Sequence, residues 1–126
     1  MARKILLVDD EAGFTQLLKM NLEKSGDFEV TIENDSTRAV STARSFLPDI
    51  VLLDVVMPGM DGGDVQAQFQ SSPELRNVPV IMLTALVDSA ELSDGAVAQS
   101  GSSIVLPKPV DLDLLLRVID EATAVI

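Results

Sequence analysis

Ile5-Leu6-Leu7-Val8-Asp9-Asp10-Glu11 is the stretch that decides the fold. Four apolar residues without polar alternation run straight into three acids. A strand buried on both faces and stopping abruptly at solvent reads this way. Ile50-Val51-Leu52-Leu53-Asp54 repeats the pattern, and Val80-Ile81-Met82-Leu83-Thr84 repeats it again with a hydroxyl in place of the acid. Ile104-Val105-Leu106 is a shorter run of the same kind, whereas residues 28–33 alternate apolar and polar, as an edge strand with one covered face does.

Longer segments of helical period lie between these runs. Phe14, Leu17, Leu18, Met20 and Leu22 predict a helix over residues 11–24, stopped by Ser25-Gly26. Ala39, Val40, Ala43, Phe46 and Leu47 predict a second over residues 37–47, ended by Pro48. Residues 57–63, Met-Pro-Gly-Met-Asp-Gly-Gly, are turn chemistry, and a short helix over residues 64–70 follows. Asp88, with Glu91 three residues on, caps a fourth helix to about Ser100, although Gly95 and several small residues leave it little apolar face. Asp111 caps a last helix carrying Leu112, Leu115, Leu116, Ile119 and Ala122 on one face. Five strands alternating with helices predict an α/β fold, a parallel sheet covered on both faces. Right-handed crossovers make it doubly wound.

Composition narrows the chemistry. At 126 residues there is room for one domain. The 47% hydrophobic content supports a packed core. Cysteine and histidine are both absent, which excludes disulfides, thiolate or imidazole metal sites and any serine–histidine triad. Twenty acidic residues against nine basic ones give a net charge of −11, which repels nucleic-acid backbones and anionic lipid and favours cations and basic partners. The early apolar run is broken by acids before it can be a signal peptide, and no run reaches the length of a membrane span, so a cytoplasmic protein is expected.

In a doubly wound sheet the functional crevice lies at the carboxyl ends of the strands. Those ends carry Asp9, Asp10, Asp54, Thr84 and, after the last strand, Lys108. Carboxylates gathered together repel unless a cation joins them, and an oxygen-only set suits Mg²⁺. A carboxylate beside such an ion can act as a nucleophile toward phosphorus, with a lysine and a hydroxyl taking the remaining oxygens. Each residue also has a plainer reading. Asp9-Asp10-Glu11 could cap the first helix, Asp54 could serve a turn, Thr84 could reflect strand propensity, and Lys108 could be a solvated surface lysine. Their coincidence at one sheet edge argues against the plain readings.

Residues 5–11, Leu53-Asp54-Val55-Val56-Met57-Pro58-Gly59-Met60-Asp61-Gly62, Leu83-Thr84-Ala85 and Leu106-Pro107-Lys108-Pro109 together strongly resemble the receiver domain of two-component response regulators, over essentially the whole chain. The resemblance implies a flavodoxin-like five-stranded sheet of order 2-1-3-4-5, with residues 1–126 as one receiver domain and no output domain. It implies that Asp54 accepts a phosphoryl group from the phosphohistidine of a sensor histidine kinase or histidine phosphotransfer protein, altering the surface seen by an unknown downstream protein. Asp10, Asp54 and the backbone carbonyl of Val56 would ligate Mg²⁺, with Asp9 supporting the ion through water. Thr84 and Lys108 would hold the phosphoryl oxygens, and the bond before Pro109 would be cis. The first helix and the loop after the fifth strand would face the kinase. The domain would be no enzyme beyond self-catalysed phosphorylation and slow self-dephosphorylation, because Val56 and Leu86 stand where a water-orienting residue would act.

The chain also departs from the family pattern. Val105 replaces the usual aromatic three residues before the lysine, and tyrosine and tryptophan are absent altogether. No Lys or Arg lies between Arg76 and Lys108, so the charged dimer of winged-helix regulators is not expected. The weak fourth helix, with Gly95, is expected to be mobile or completed by a partner. A phosphorylation-independent adaptor is the competing function. A metabolic phosphatase would need a second acid where Val56 stands, and a flavin phosphate would meet an acidic first loop.

Overall fold

A computed structural model describes residues 2–54, 62–84, 98–100, 103–107 and 110–123. Six strands form one sheet: β1 (Arg3–Val8), β2 (Phe28–Glu33), β3 (Ile50–Asp54), β4 (Val80–Thr84), β5 (Ala98–Ser100) and β6 (Ser103–Pro107). The helices are α1 (Ala12–Ser25), α2 (Ala39–Phe46), α3 (Gly62–Ser71) and α4 (Leu112–Thr123). The spatial order is β2-β1-β3-β4-β6-β5. The parallel order 2-1-3-4 followed by the predicted fifth strand, here β6, is therefore present. What the sequence reading lacked is β5, which pairs antiparallel on the outer edge of β6.

That strand corrects the helix expected to run to Ser100. Ala98–Ser100 is extended, and residues 88–97 of that predicted helix lie outside the described residues. Small side chains give this segment no helical face to bury, whereas the edge of β6 offers unpaired backbone groups that a strand satisfies.

The unbroken apolar runs are divided between the two faces of the sheet by the period of two. Ile5, Leu7, Ile50 and Leu52 join one cluster with Leu18 and Leu22 of α1 and Leu115 and Ile119 of α4. Leu6, Val8, Val51 and Leu53 join a second with Ala39 and Ala43 of α2 and Val65 and Phe69 of α3. On the edge strand β2, Phe28 and Val30 are buried and Glu29 is exposed. In α1 the buried residues are Thr15, Leu18 and Leu22. Leu17 and Met20, expected on the same apolar face, are 60% and 53% exposed because the helix turns them toward solvent.

The helix ends are set locally. Asp111 caps α4 as expected: its carboxylate accepts from the Leu114 N–H at 3.2 Å and its carbonyl from the Leu115 N–H at 2.9 Å. A 3₁₀ turn, Ser36–Arg38, precedes α2. It is capped by Asp35, which accepts from the Thr37 hydroxyl at 2.6 Å and the Thr37 N–H at 3.0 Å. Those two bonds, the hydroxyl first, hold the Asp35 carboxyl below its ordinary value.

Leu47 closes α2 in the left-handed region, at φ 54° and ψ 64°, with its N–H donating to the Ala43 carbonyl. A branched side chain is strained there, and Leu47 is more than half exposed, so it returns little burial. Leu47→Gly is therefore expected to stabilise the fold by about 0.5–1 kcal/mol, the relieved strain being partly offset by the freedom glycine adds to the unfolded chain. Thermal melting checks this, and a lowered midpoint would contradict it.

Candidate functional site

β1 pairs with β2 on one side and β3 on the other. The chain thus leaves β1 toward β2 and crosses back to β3, which opens a crevice at the carboxyl ends of β1 and β3. The last paired residues across it are Val8 and Leu53, so Asp9 and Asp54 come next on neighbouring strands. On the far side of β3, Asp54 is in register with Leu83, and Thr84 ends β4.

Asp9 turns the chain from strand into helix. Its N–H donates to the Glu33 carbonyl at 3.2 Å, adding one rung to the β1–β2 ladder. Its carboxylate accepts from the Glu11 N–H at 3.0 Å, an Asx-type turn. Its carbonyl accepts from the Asn34 side-chain amide at 2.6 Å. The acidic run does stand at the start of α1, where the helix dipole favours negative charge, but it makes no side-chain cap of the usual kind. Glu11 holds the N-cap position of α1 without a side-chain capping bond.

The Glu11 side chain lies instead in the crevice: one carboxylate oxygen from each of Asp9, Glu11 and Asp54 is within 4.8 Å of the other two. Asp9 is 1% exposed and Asp54 5%, while Glu11 closes the cluster from the solvent side. Asp10 is exposed and is not one of the three clustered carboxylates. The structure therefore brings Asp9 and Asp54 together as expected, leaves Asp10 beside them, and adds Glu11. The sequence signal for Glu11 was its i, i+2 spacing from Asp9. Thr84 and Val105 are placed by backbone only, Thr84 against Pro107 and Val105 against Met82. Val56, Lys108 and Pro109, with the cis bond expected before it, lie outside the described residues, as does Leu86.

The electrostatics favour a cation. Two carboxylates 4.8 Å apart repel by about 3 kcal/mol at an effective dielectric constant near 20, and burial of Asp9 and Asp54 makes water a poor remedy. The Asp9 carboxylate already accepts from the Glu11 N–H at 3.0 Å. On an octahedral Mg²⁺ adjacent oxygen ligands stand about 3 Å apart and opposite ones about 4 Å, so an all-oxygen set gathered within 4.8 Å has the chemistry and the scale of such a site. Among the described residues, no helix is long and apolar enough to cross a membrane.

Fold, crevice and acidic donors define a class, and the comparisons with known proteins agree. Residues 5–120 match the response regulator receiver domain model, and the chain belongs to that family, a family of two-component signalling domains rather than classical enzymes. Its relatives include response regulator PleD of Caulobacter vibrioides, 40% identical over 92% of this chain and 25% of that protein. DNA-binding response regulator MtrA of Mycolicibacterium paratuberculosis is 35% identical over 93% of this chain and 51% of that protein. The chain thus spans between a quarter and a half of these relatives' length. Among solved structures, the signal receiver domain of a signal transduction histidine kinase from Syntrophus aciditrophicus superposes with a TM-score of 0.78 at 29% identity, covering 98% of this chain and 91% of that one. Receiver domains use Mg²⁺ at an acidic pocket, and the Asp9–Glu11–Asp54 cluster supplies such donors here.

Proposed function

We propose that Asp54 accepts a phosphoryl group from a phosphohistidine and that the phosphorylated domain presents a changed surface to a downstream protein. The observation that carries this reading is the nearly buried Asp54 carboxylate at the end of β3, flanked by those of Asp9 and Glu11. A carboxylate oxygen of Asp54 bonds to phosphorus as the phosphorus–nitrogen bond of the donor breaks, and the imidazole nitrogen keeps the electron pair. Mg²⁺ would supply neutralisation of the incoming phosphoryl oxygens, held by Asp54 with Asp9 and either Asp10 or Glu11, and by the Val56 carbonyl. Burial of Asp9 excludes water from one side, and the β1–β3 register sets its distance from Asp54.

Thr84, at the end of β4, and Lys108, next after β6, are assigned to the phosphoryl oxygens. The donor is a sensor histidine kinase or histidine phosphotransfer protein. The exposed Leu17 and Met20 of α1 suit an apolar contact with it. The site of action is the cytoplasm, where such donors present their histidines. Val56 and Leu86 cannot orient a water, so the phosphorylated form is long-lived. Incubation with acetyl phosphate followed by intact-mass measurement is expected to give a single phosphoryl adduct that disappears when Mg²⁺ is chelated. No adduct under either condition would leave the adaptor as the better reading.

A further inference from the structure

We propose that Asn34 is a positioning residue, holding the Asp9 backbone and the first turn of α1 so that the Asp9 and Glu11 carboxylates meet at Asp54. The proposal rests on the phosphoacceptor reading of that site. β1 and β2 run in register through Val8 and Glu33, and the Asp9 N–H continues the ladder to the Glu33 carbonyl. In a parallel ladder the Asp9 carbonyl would next take the N–H of Asp35. That N–H donates instead to the Glu33 carboxylate at 3.1 Å, because β2 here turns away into the 3₁₀ turn.

The Asn34 side-chain amide takes over the missing rung. It donates to the Asp9 carbonyl at 2.6 Å and to the Thr15 hydroxyl oxygen at 3.2 Å. Both partners accept there, so the amide's NH₂ end must face them. The Thr15 hydroxyl in turn donates to the Ala12 carbonyl at 3.0 Å, and Thr15 is a fully buried residue of α1. One side chain thus ties Asp9, the residue next after β1, to the first turn of α1, with Glu11 between the two tethered points. β2 can leave the sheet while the acidic end of β1 stays in place.

Asn34 itself is exposed and outside both core clusters, so its removal tests positioning rather than folding. Calorimetric titration of Mg²⁺ into the metal-free protein separates the two. Loss of groups that orient metal ligands typically weakens binding about 10- to 100-fold. Asn34 acts through the Asp9 backbone, so about 3- to 10-fold weaker binding is expected for Asn34→Ala, with a smaller loss for Thr15→Val. Asn34→Gln, which keeps both donors, is expected to recover part of the affinity, and Asn34→Leu repeats the comparison should the alanine variant fold poorly. Mg²⁺ affinity within twofold of the wild type would overturn the proposal, whatever happened to the melting temperature. A wild-type chain that binds no Mg²⁺ would overturn the phosphoacceptor reading itself, and the proposal with it.

Discussion

Asp54→Ala is expected to abolish the phosphoryl adduct formed with acetyl phosphate and Mg²⁺. The expected fall in acceptance rate is at least about 10³-fold, the scale on which removal of a nucleophile acts when its neighbours cannot replace it. Asp9 and Glu11 are close enough to be considered as substitutes. Asp9, however, spends its carboxylate on the Glu11 N–H and is buried behind the strand ends, and Glu11 sits on the solvent side of the cluster. Neither stands at the end of β3, between β1 and β4, where Thr84 can approach from the neighbouring strand. The variant is expected to fold at least as well as the wild type without metal, since one of three mutually repelling carboxylates is gone. Intact-mass measurement on a protein shown by circular dichroism to be folded decides the matter. An undiminished adduct in Asp54→Ala would assign the acceptor to another residue.

The second large effect is on stability. Leu52 lies in the middle of β3, at 0% exposure, within the cluster that α1 and α4 cover. Truncation to alanine removes its transfer free energy and leaves a cavity that a central strand, fixed by β1 and β4, cannot close. About 3–4 kcal/mol should be lost, a large share of the 5–15 kcal/mol that holds a domain of this kind together. In thermal melting this corresponds to a drop of about 10–15 °C. A loss under 1 kcal/mol would mean that the sheet relaxes around position 52 and that the packing described here is loose.

The strands with unbroken apolar runs were legible because burial on both faces leaves a simple mark: β1, β3, β4 and β6 were all read at nearly their observed positions. Asp9 and Asp54 were legible for the same reason, as the first charged residues where such a run stops. Glu11 was not. Its place in the crevice depends on the Asx turn that Asp9 makes with the Glu11 N–H, and a turn of that kind is decided by side-chain geometry after folding. The resemblance pointed to Asp10, which is exposed beside the cluster. The strand at Ala98–Ser100 was missed because its pairing is tertiary: three residues, Ala-Gln-Ser, carry no period of their own and are extended only because β6 offers an edge. Leu17 and Met20 were misread through counting apolar residues without their phase, since residues 15, 18 and 22 already fill the covered face of α1.

The sheet also works as a partition. With Leu6 and Leu7 consecutive in one strand yet belonging to different clusters, the domain has two apolar compartments that share a wall and almost no side chains. Substitutions in compartments separated by roughly the thickness of a packed sheet perturb stability independently. The α1 and α4 side can therefore drift in sequence, and with it whatever partner that side has come to recognise, while the α2 and α3 side keeps its own packing unchanged. The acidic crevice sits on the rim of the wall between them, at the one line both compartments have in common.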